Sequence, residues 1–156
     1  MGSKERNILG AMKSQIANID GTGTFTFDLS GTDQVVIGAT MTPDRIPAAY
    51  LYASATQSTI SPGRTVLRNY DRTLLVQIEA WVTATTDAPG ESHLRALDIQ
   101  DDLFKAIESD RTLGGQVDDV ILSGQTYDGE ALQRPGLGLA VVICQCSYRE
   151  VGGTGS

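Results

Sequence analysis

A segment in which apolar and polar residues alternate, followed by an amphipathic segment, constrains the fold of this chain more than any other feature of the sequence. From Thr73 to Thr83 apolar and polar residues alternate, which predicts a β-strand with one buried face. The apolar positions are Leu74, Val76, Ile78, Ala80 and Val82. A segment with acids, a proline and a glycine, Asp87 to Glu91, then interrupts the strand, so a helix is expected to begin within two residues of Ser92.

The predicted helix from Ser92 to Asp110 has an apolar side and a charged side when it is wound at roughly 100° per residue. Its apolar arc contains Ala96, Leu97, Ile99, Leu103, Phe104, Ala106 and Ile107. Its polar arc contains Arg95, Asp98, Asp101, Asp102, Lys105 and Glu108. Gln100 falls inside the apolar arc, where either water or another chain would contact it. Gly114 and Gly115 are expected to end the helix.

Further elements are predicted on both sides of this strand and helix. A second amphipathic helix is expected from Lys4 to Ile19, because Ile8, Leu9, Met12, Ile16 and Ile19 share one side. The predicted strands and hairpin segments are Thr24–Phe27 with Gln34–Ala39 as a hairpin, Ala48–Ala53, Thr65–Tyr70, Val117–Leu122 and Leu137–Tyr148. Loops are expected at Met41–Pro47, Ala55–Arg64 and Ser123–Pro135, which carry most of the proline and turn residues.

These elements predict an α+β fold, a mostly antiparallel sheet with two amphipathic helices packed on one face. Residues 1–150 are expected to form a single domain, and the Gly-rich residues 151–156 a flexible C-terminal tail. With 156 residues the chain is long enough to bury about 70% of its unfolded surface. Its net charge of −7 argues against a free-standing nucleic-acid-binding protein. No apolar run or cationic leader predicts a membrane span or signal peptide, so the cytoplasm is the expected compartment.

The residues that could carry chemistry do not form a recognisable catalytic or metal-binding pattern. Cys144 and Cys146 lie two apart on a strand, which would strain a disulfide, so both are expected to be reduced and buried. His93 is the only histidine, and no serine occupies a nucleophile-elbow motif. No catalytic residue, metal ligand or cofactor is therefore expected. The acids Asp98, Asp101 and Asp102 could pair as a carboxylate site, but their helical positions predict a polar face that contacts water or a neighbouring subunit.

One basic patch and one tryptophan are candidates for protein contacts. The patch consists of Arg64, Arg68, Tyr70 and Arg72. Two interpretations are open: the patch contacts an acidic partner surface, or Glu79 and its neighbours neutralise it on a sheet face. Trp81 interrupts the small or polar face of its strand, so a loop or a neighbouring subunit is expected to cover it.

From Arg72 to Arg149 the pattern resembles the tail terminator proteins of long-tailed bacteriophages and the related tail-completion and head–tail joining proteins. The residues that carry this resemblance, followed by strand residues up to Tyr148, are Leu94, Leu97, Asp98, Asp101, Asp102, Ala106, Ile107, Asp110, Thr112, Leu113, Gly114 and Gly115. The combination of these residues makes the resemblance specific, since no single motif among them is diagnostic.

The resemblance implies a homohexameric ring that caps the head-proximal end of the tail tube, stops tube growth and offers the neck a docking surface. The implied partners are other copies of the chain, the tail tube protein and a head-completion or neck protein. The implied locations are the virion tail and, during assembly, the host cytoplasm. Two alternatives are a small non-catalytic adaptor or head-completion module, and a small enzyme whose site the sequence does not reveal.

A ring that continues a tail tube must let DNA pass without specific binding. An inner wall of lysine and arginine would hold DNA by counterion release, so an acidic or neutral wall is expected. The candidate residues for this lumen are Asp118, Asp119, Asp128 and Glu130. Arg64, Arg68 and Arg72 are then expected to face protein.

Overall fold

The computed structural model describes residues 3–39, 43–60 and 69–151, which form two helices and one five-stranded sheet. The elements are α1 (Lys4–Ile16), β1 (Val35–Ile37), β2 (Ala48–Ile60), β3 (Asn69–Thr83), α2 (Glu91–Glu108), β4 (Asp119–Tyr127) and β5 (Leu137–Val151). The strand order is β1-β2-β3-β5-β4, with β1 parallel to β2 and every other pair antiparallel. The predicted α+β class with a mostly antiparallel sheet and two helices is confirmed.

Strand β3 and helix α2 form the centre of the larger buried cluster, as the alternating pattern predicts. The five apolar positions of β3 from Leu74 to Val82 are fully buried, and so are Ile99, Leu103 and Ile107 of α2. Helix α1 adds its own buried side chains to the same cluster: Ile8, Met12 and Ile16. Neither helix in the described part of the chain has the length and hydropathy that a membrane span requires.

Helix α2 begins at Glu91, within two residues of Ser92 as predicted, but it ends at Glu108 rather than at the glycine pair. A turn follows, in which the backbone N–H of Asp110 donates to the carbonyl of Ile107 at 3.3 Å. Gly114 and Gly115 have φ values of 68° and 87°, so they shape the exit of this turn instead of ending the helix.

The start of α2 lies directly against β5. A Cβ atom added to Gly138 of β5 would collide with the backbone carbonyl oxygen of Ser92, so this close approach requires glycine. Ser92 Oγ also accepts a 3.2 Å hydrogen bond from the backbone N–H of Gly129, in the connection between β4 and β5. These contacts fix the first turn of α2 to the sheet.

The hairpin predicted over residues 24–39 is wrong. Asp20 and Asp28 form only an isolated bridge, and the short strand β1 pairs with β2 in parallel instead. The backbone N–H groups of Thr26 and Phe27 donate to the side chain of Asp102 on α2, which replaces the partner strand that a hairpin would supply.

The loop predicted over Ala55–Arg64 is also wrong in its described part, because β2 continues to Ile60. Its residues Ala55–Ile60 pair with residues 70–75 of β3, after a bulge between Ala53 and Ala55. Their side chains are exposed, so pairing of the backbone rather than burial maintains this extension. The predicted Thr65–Tyr70 strand lies mostly outside the described residues, and Asn69 and Tyr70 begin β3.

Strand β4 extends to Tyr127, five residues beyond the predicted end at Leu122, so the predicted loop over 123–135 is wrong in its first part. Helix α1 likewise ends at Ile16, three residues before the predicted end at Ile19. Strand β5 continues to Val151, whose backbone pairs with Asn69, and the remaining tail residues 152–156 lie outside the described residues.

A second, smaller buried cluster lies around Trp81, whose side chain alternates with the core-facing residues of β3. Trp81 is 6% exposed and packs in a cluster with Ala48, Tyr50 and Leu139. Loop residues Ile46 and Leu132 pack against this cluster, so the expectation that Trp81 is covered is met within one chain. Its indole Nε1 is buried and has no hydrogen-bond partner among the residues that the structure describes.

Candidate functional site

The described part of the predicted basic patch, Tyr70 and Arg72, lies at the N-terminal end of β3, beside the C-terminal end of β5. The guanidinium of Arg72 lies 5.5 Å from the centre of the Tyr70 ring, and its Nε lies 3.9 Å from a carboxylate oxygen of Glu150. Nearby, Tyr148 donates a 3.0 Å hydrogen bond to Glu5 of α1. Burial, followed by this hydrogen bond, raises the pKa of Tyr148. The cluster therefore joins the N-terminus of α1 to one end of the sheet.

The charge of Arg72 is balanced by Glu150. Glu79, which one of the two interpretations of the patch named as its neutralising group, makes other contacts. Glu79 accepts hydrogen bonds from Tyr52 at 2.9 Å and from Gln77 at 3.2 Å instead. Arg64 and Arg68 lie outside the described residues, so both interpretations of the basic patch stay predictions.

Trp81 is not part of the same surface as Tyr70 and Arg72. It lies nine residues farther along β3, which corresponds to about 30 Å. Its side chain also points to the opposite face of the sheet from that of Arg72, because side chains alternate along a strand. Of the predicted interface residues that the structure describes, Trp81 therefore does not share one site with Tyr70 and Arg72.

The four candidate lumen acids lie in two pairs at the two ends of β4. Asp118 and Asp119 are at its start, where Asp119 pairs with Arg111 at 2.9 Å. Asp128 and Glu130 follow its end, where Asp128 accepts a 2.9 Å hydrogen bond from the backbone N–H of Ala131. The pairs are separated by the length of the strand, about 30 Å.

Asp102 was expected on the solvated face of α2, but it is fully buried. Its carboxylate accepts hydrogen bonds from the backbone N–H of Phe27 at 2.8 Å and of Thr26 at 3.1 Å. Burial raises the pKa of Asp102 although these hydrogen bonds lower it. The neighbouring acid Asp101 behaves as predicted, since it is exposed and pairs with Lys105 at 2.7 Å.

The cysteines are free and buried, as the sequence predicts. Burial raises the pKa of Cys146 to about 12 and also raises the pKa of Cys144. Thiols of this kind stay protonated at neutral pH, so they are poor nucleophiles and poor metal ligands. Within residues 3–39, 43–60 and 69–151, no group of three or more acidic, histidine or cysteine side chains is placed to hold a metal ion.

Large apolar side chains are exposed on the outer strands as well as on α2, where Leu94 is 57% exposed, and none of the strand positions was among the predicted site residues. Ile60 on β2 is 56% exposed and Ile121 on β4 is 57% exposed. Ile143 on the neighbouring strand β5 lies close to Ile121, whereas Ile37 on β1 pairs with Leu51, nine residues before Ile60. A shallow groove of about 270 Å³ separates α2 from β4 beside Ile121, with Phe104 in its lining. A signal was available in the sequence, because the segments 53–60 and 120–127 contain no charge and no proline.

Comparison with models of known protein families gives no match to this chain, and comparison with curated proteins gives no similar sequence. The functional proposal that follows is therefore supported by the chain's own geometry, charge and sequence pattern.

Proposed function

We propose that this chain is a structural virion subunit that forms a ring on the head-proximal end of a bacteriophage tail tube. The ring would end tube polymerisation and connect the tail to the neck of the head. Its partners would be other copies of itself, the tail tube protein and a head-completion or neck protein. The proposal starts from the tail-terminator-like pattern between Arg72 and Arg149.

The observation that carries this proposal is the exposure of large apolar side chains on two opposite sides of one sheet. Ile37 and Ile60 lie on the β1–β2 side, and Ile121 lies on β4, at the other end of the strand order. A head-to-tail ring needs two different contact surfaces on opposite sides of each subunit. Exposed apolar groups at both sides suit that requirement, because each contact would remove them from water.

The hydrogen bonds of the buried polar side chains support a structural role for the chain. In the described part of the chain, the buried polar side chains are Gln15, Gln34 and Asp102, and each bonds to backbone. Gln15, for example, donates to the carbonyls of Ala106, Ile107 and Asp110 at 2.8–3.0 Å and so ties α1 to the end of α2. These groups hold elements together, whereas catalytic groups would converge on an open pocket.

In the proposed subunit both helices lie on one face of the sheet, and the other face, apart from the covered end around Trp81, is free to line the ring. The larger cluster supports this arrangement, since it joins side chains from both helices to the Leu74–Val82 positions of β3. The opposite positions of the central strands include Gln77, Gln145 and Glu79, and Arg149 on that face is paired with Asp71 at 2.8 Å. A neutral or acidic wall of this kind would let DNA slide, because it offers few cations to replace the counterions of DNA.

The acids at the two ends of β4 support the same DNA path. If β4 runs along the ring axis, Asp118 and Asp119 lie at one mouth of the lumen, and Asp128 and Glu130 at the other. The net charge of −7 per chain keeps the ring from retaining DNA. The patch of Arg64, Arg68 and Arg72 would then face a protein partner.

Electron microscopy of the purified chain, alone and mixed with tubes of the tail tube protein from the same genome, tests this function. Rings with a central opening are expected, and they should sit on one end of each tube. Ile121→Glu should abolish the rings, because it places a charge in an apolar contact. The matched change Ser14→Glu, on the exposed side of α1, should leave them intact.

The proposal would be contradicted by single subunits bound along the sides of tubes, or by no binding to tubes at all. A chain that stays a monomer would favour the adaptor alternative. The DNA path has its own check, a mobility-shift measurement with duplex DNA near 0.15 M salt, roughly physiological ionic strength. No retention is expected, and tight retention that is lost in Arg64→Ala and Arg68→Ala variants would refute the lumen assignment.

A further inference from the structure

The backbone of the sheet is unpaired along two long stretches, one on each outer side. Strand β1 pairs with β2 only at Ala49–Leu51, so β2 has no partner on that side from Tyr52 to Ile60 among the described residues. Strand β4 pairs with β5 and with no other strand of residues 3–39, 43–60 and 69–151. Each stretch presents N–H and C=O groups that can pair with another strand.

Neither edge has the protection that exposed strand edges usually have. Residues 53–60 of β2 and residues 120–127 of β4 contain no lysine, no other charged residue and no proline. The bulge between Ala53 and Ala55 disturbs only the start of the first edge. Since each copy carries a net charge of −7, two copies approach at least cost where their surfaces carry no excess of acidic groups. The two edges are such surfaces.

The strand directions allow the two edges to meet in the favourable orientation. Because β2 is antiparallel to β3, β3 to β5 and β5 to β4, the strands β2 and β4 run in opposite directions. Rotation about an axis along the strands preserves these directions. The β4 edge of one copy would therefore meet the β2 edge of the next copy as an antiparallel pair. Such a contact joins two different edges, so it repeats head to tail and can close a ring.

We propose that β4 of one copy pairs with the exposed part of β2 in the next copy, so that the sheet continues around the ring. This inference rests on the proposed ring function and specifies its subunit interface. The two edges are similar in length, since the β2 edge offers nine consecutive uncharged residues from Tyr52 to Ile60 and the β4 edge offers eight from Val120 to Tyr127. Pairing would also place the exposed side chains of Ile60 and Ile121 beside the new strand contact, on opposite faces of the continued sheet.

Cysteine cross-linking between two single variants tests this pairing. Gln57→Cys lies on the β2 edge and Ser123→Cys on the β4 edge, and both positions are exposed. Gln57 is paired with Thr73, and Ser123 with Ile143, which in turn is paired with Gln77, so both side chains lie on the same face of the sheet. The native thiols should not compete, because Cys144 and Cys146 are buried.

The two variants are mixed and treated with a short bis-maleimide, and Ser14→Cys serves as the surface control. Strand pairing holds the two thiols at a high effective concentration. A Gln57-to-Ser123 link should therefore exceed links in either variant alone by about tenfold. Peptide mass spectrometry identifies the linked positions. In a second measurement, Ser123→Lys should prevent assembly while Ser14→Lys does not, because lysine protects a strand edge.

The outcomes separate this inference from the function on which it rests. A ring mass with no Gln57-to-Ser123 link above the Ser14→Cys background would overturn the strand pairing and leave the ring intact. Links only between identical variants would show a two-fold contact and would also overturn the head-to-tail pairing. A strict monomer without links would overturn both the pairing and the ring.

Discussion

The close approach of α2 to β5 at Gly138 makes a Gly138→Ala variant the most informative test of the fold. The added methyl group would meet the carbonyl oxygen of Ser92 and would lie 3.0 Å from a methyl group of Val82. Ordinary contact begins at 3.4 Å, so the start of α2 must move by roughly 1 Å within a close-packed interior. The obstacle is backbone, which cannot turn away as a side chain can.

Overpacking of this kind costs about 1–3 kcal/mol, and the movement would also stretch the 3.2 Å hydrogen bond from Gly129 to Ser92. Gly124→Ala is the matched control, because its methyl group meets only the end of the Gln100 side chain, at 2.5 Å. That side chain can adopt another rotamer, so a cost below about 1 kcal/mol is expected. In Gly10→Ala of α1 the added methyl group meets no atom of the described residues within 4 Å, so this variant should stabilise the chain by about 0.5–1 kcal/mol.

Urea unfolding followed by circular dichroism measures all three variants under the same conditions. The expected order of midpoints is Gly138→Ala lowest, wild type and Gly124→Ala close together, and Gly10→Ala highest. If Gly138→Ala unfolds at the wild-type midpoint, α2 does not lie against β5 as described. If Gly124→Ala is the most destabilised, the distinction between backbone and side-chain obstacles is wrong.

Three further predictions concern the helices and use the same unfolding measurement. Leu103→Ala should cost about 2–5 kcal/mol through lost burial and a cavity. Leu97→Ala, at a site that is 40% exposed, should cost less than about 1 kcal/mol. Equal midpoints for the two variants would show that the buried face of α2 is misassigned. Gln15→Glu should cost at least about 1–3 kcal/mol, because it places a carboxylate against the three backbone carbonyls that Gln15 now donates to. A urea midpoint no lower than that of the surface variant Ser14→Ala would refute this destabilisation. Burial raises the pKa of Asp102 in the folded state, so its contribution to stability is fully present below its unfolded pKa of about 3.9 and is lost as pH rises through the folded value. The free energy of unfolding of the wild type, relative to that of Asp102→Asn, should therefore fall as pH rises from about 3.9 through the folded-state pKa. A rise in this relative stability over the same pH range would contradict the raised pKa.

The β3–α2 unit could be predicted from the sequence because its pattern and its packing coincide. Leu74 and Val76 lie at the spacing of a strand, and Leu103 and Ile107 at the spacing of a helix, and all four are fully buried. Local periodicity was sufficient here, since each element buries one face against its neighbour.

The misassigned segments depend on contacts between residues that are distant in the chain. Asp102 has the helical position of a solvated acid, but the segment around Thr26, 76 residues away, crosses above it and supplies N–H donors. The polar run 55–60 has the composition of a loop, but pairing with β3 keeps it extended. Leu97 lies at the border of the apolar arc, where burial depends on what covers it. No local pattern contains this information.

The candidate site was less predictable than the fold. The sequence drew attention to charged and aromatic residues such as Arg72 and Trp81, which the structure places on opposite faces of β3. The edges of β2 and β4 escaped notice because their distinguishing property is an absence of charge. Whether a strand is an edge is decided by the order of strands in the sheet, and neither composition nor periodicity determines that order.

The central claim, that the chain assembles into a closed ring, is tested most directly by its mass in solution as a function of concentration. Sedimentation equilibrium of the full chain should reveal a species near 100 kDa, the mass of six copies of the 16.6 kDa chain. Closure predicts that the mass stops increasing at this value, since a closed ring leaves no free contact surface. A mass that stays at 16.6 kDa at high concentration, or one that grows without a plateau, would contradict the claim.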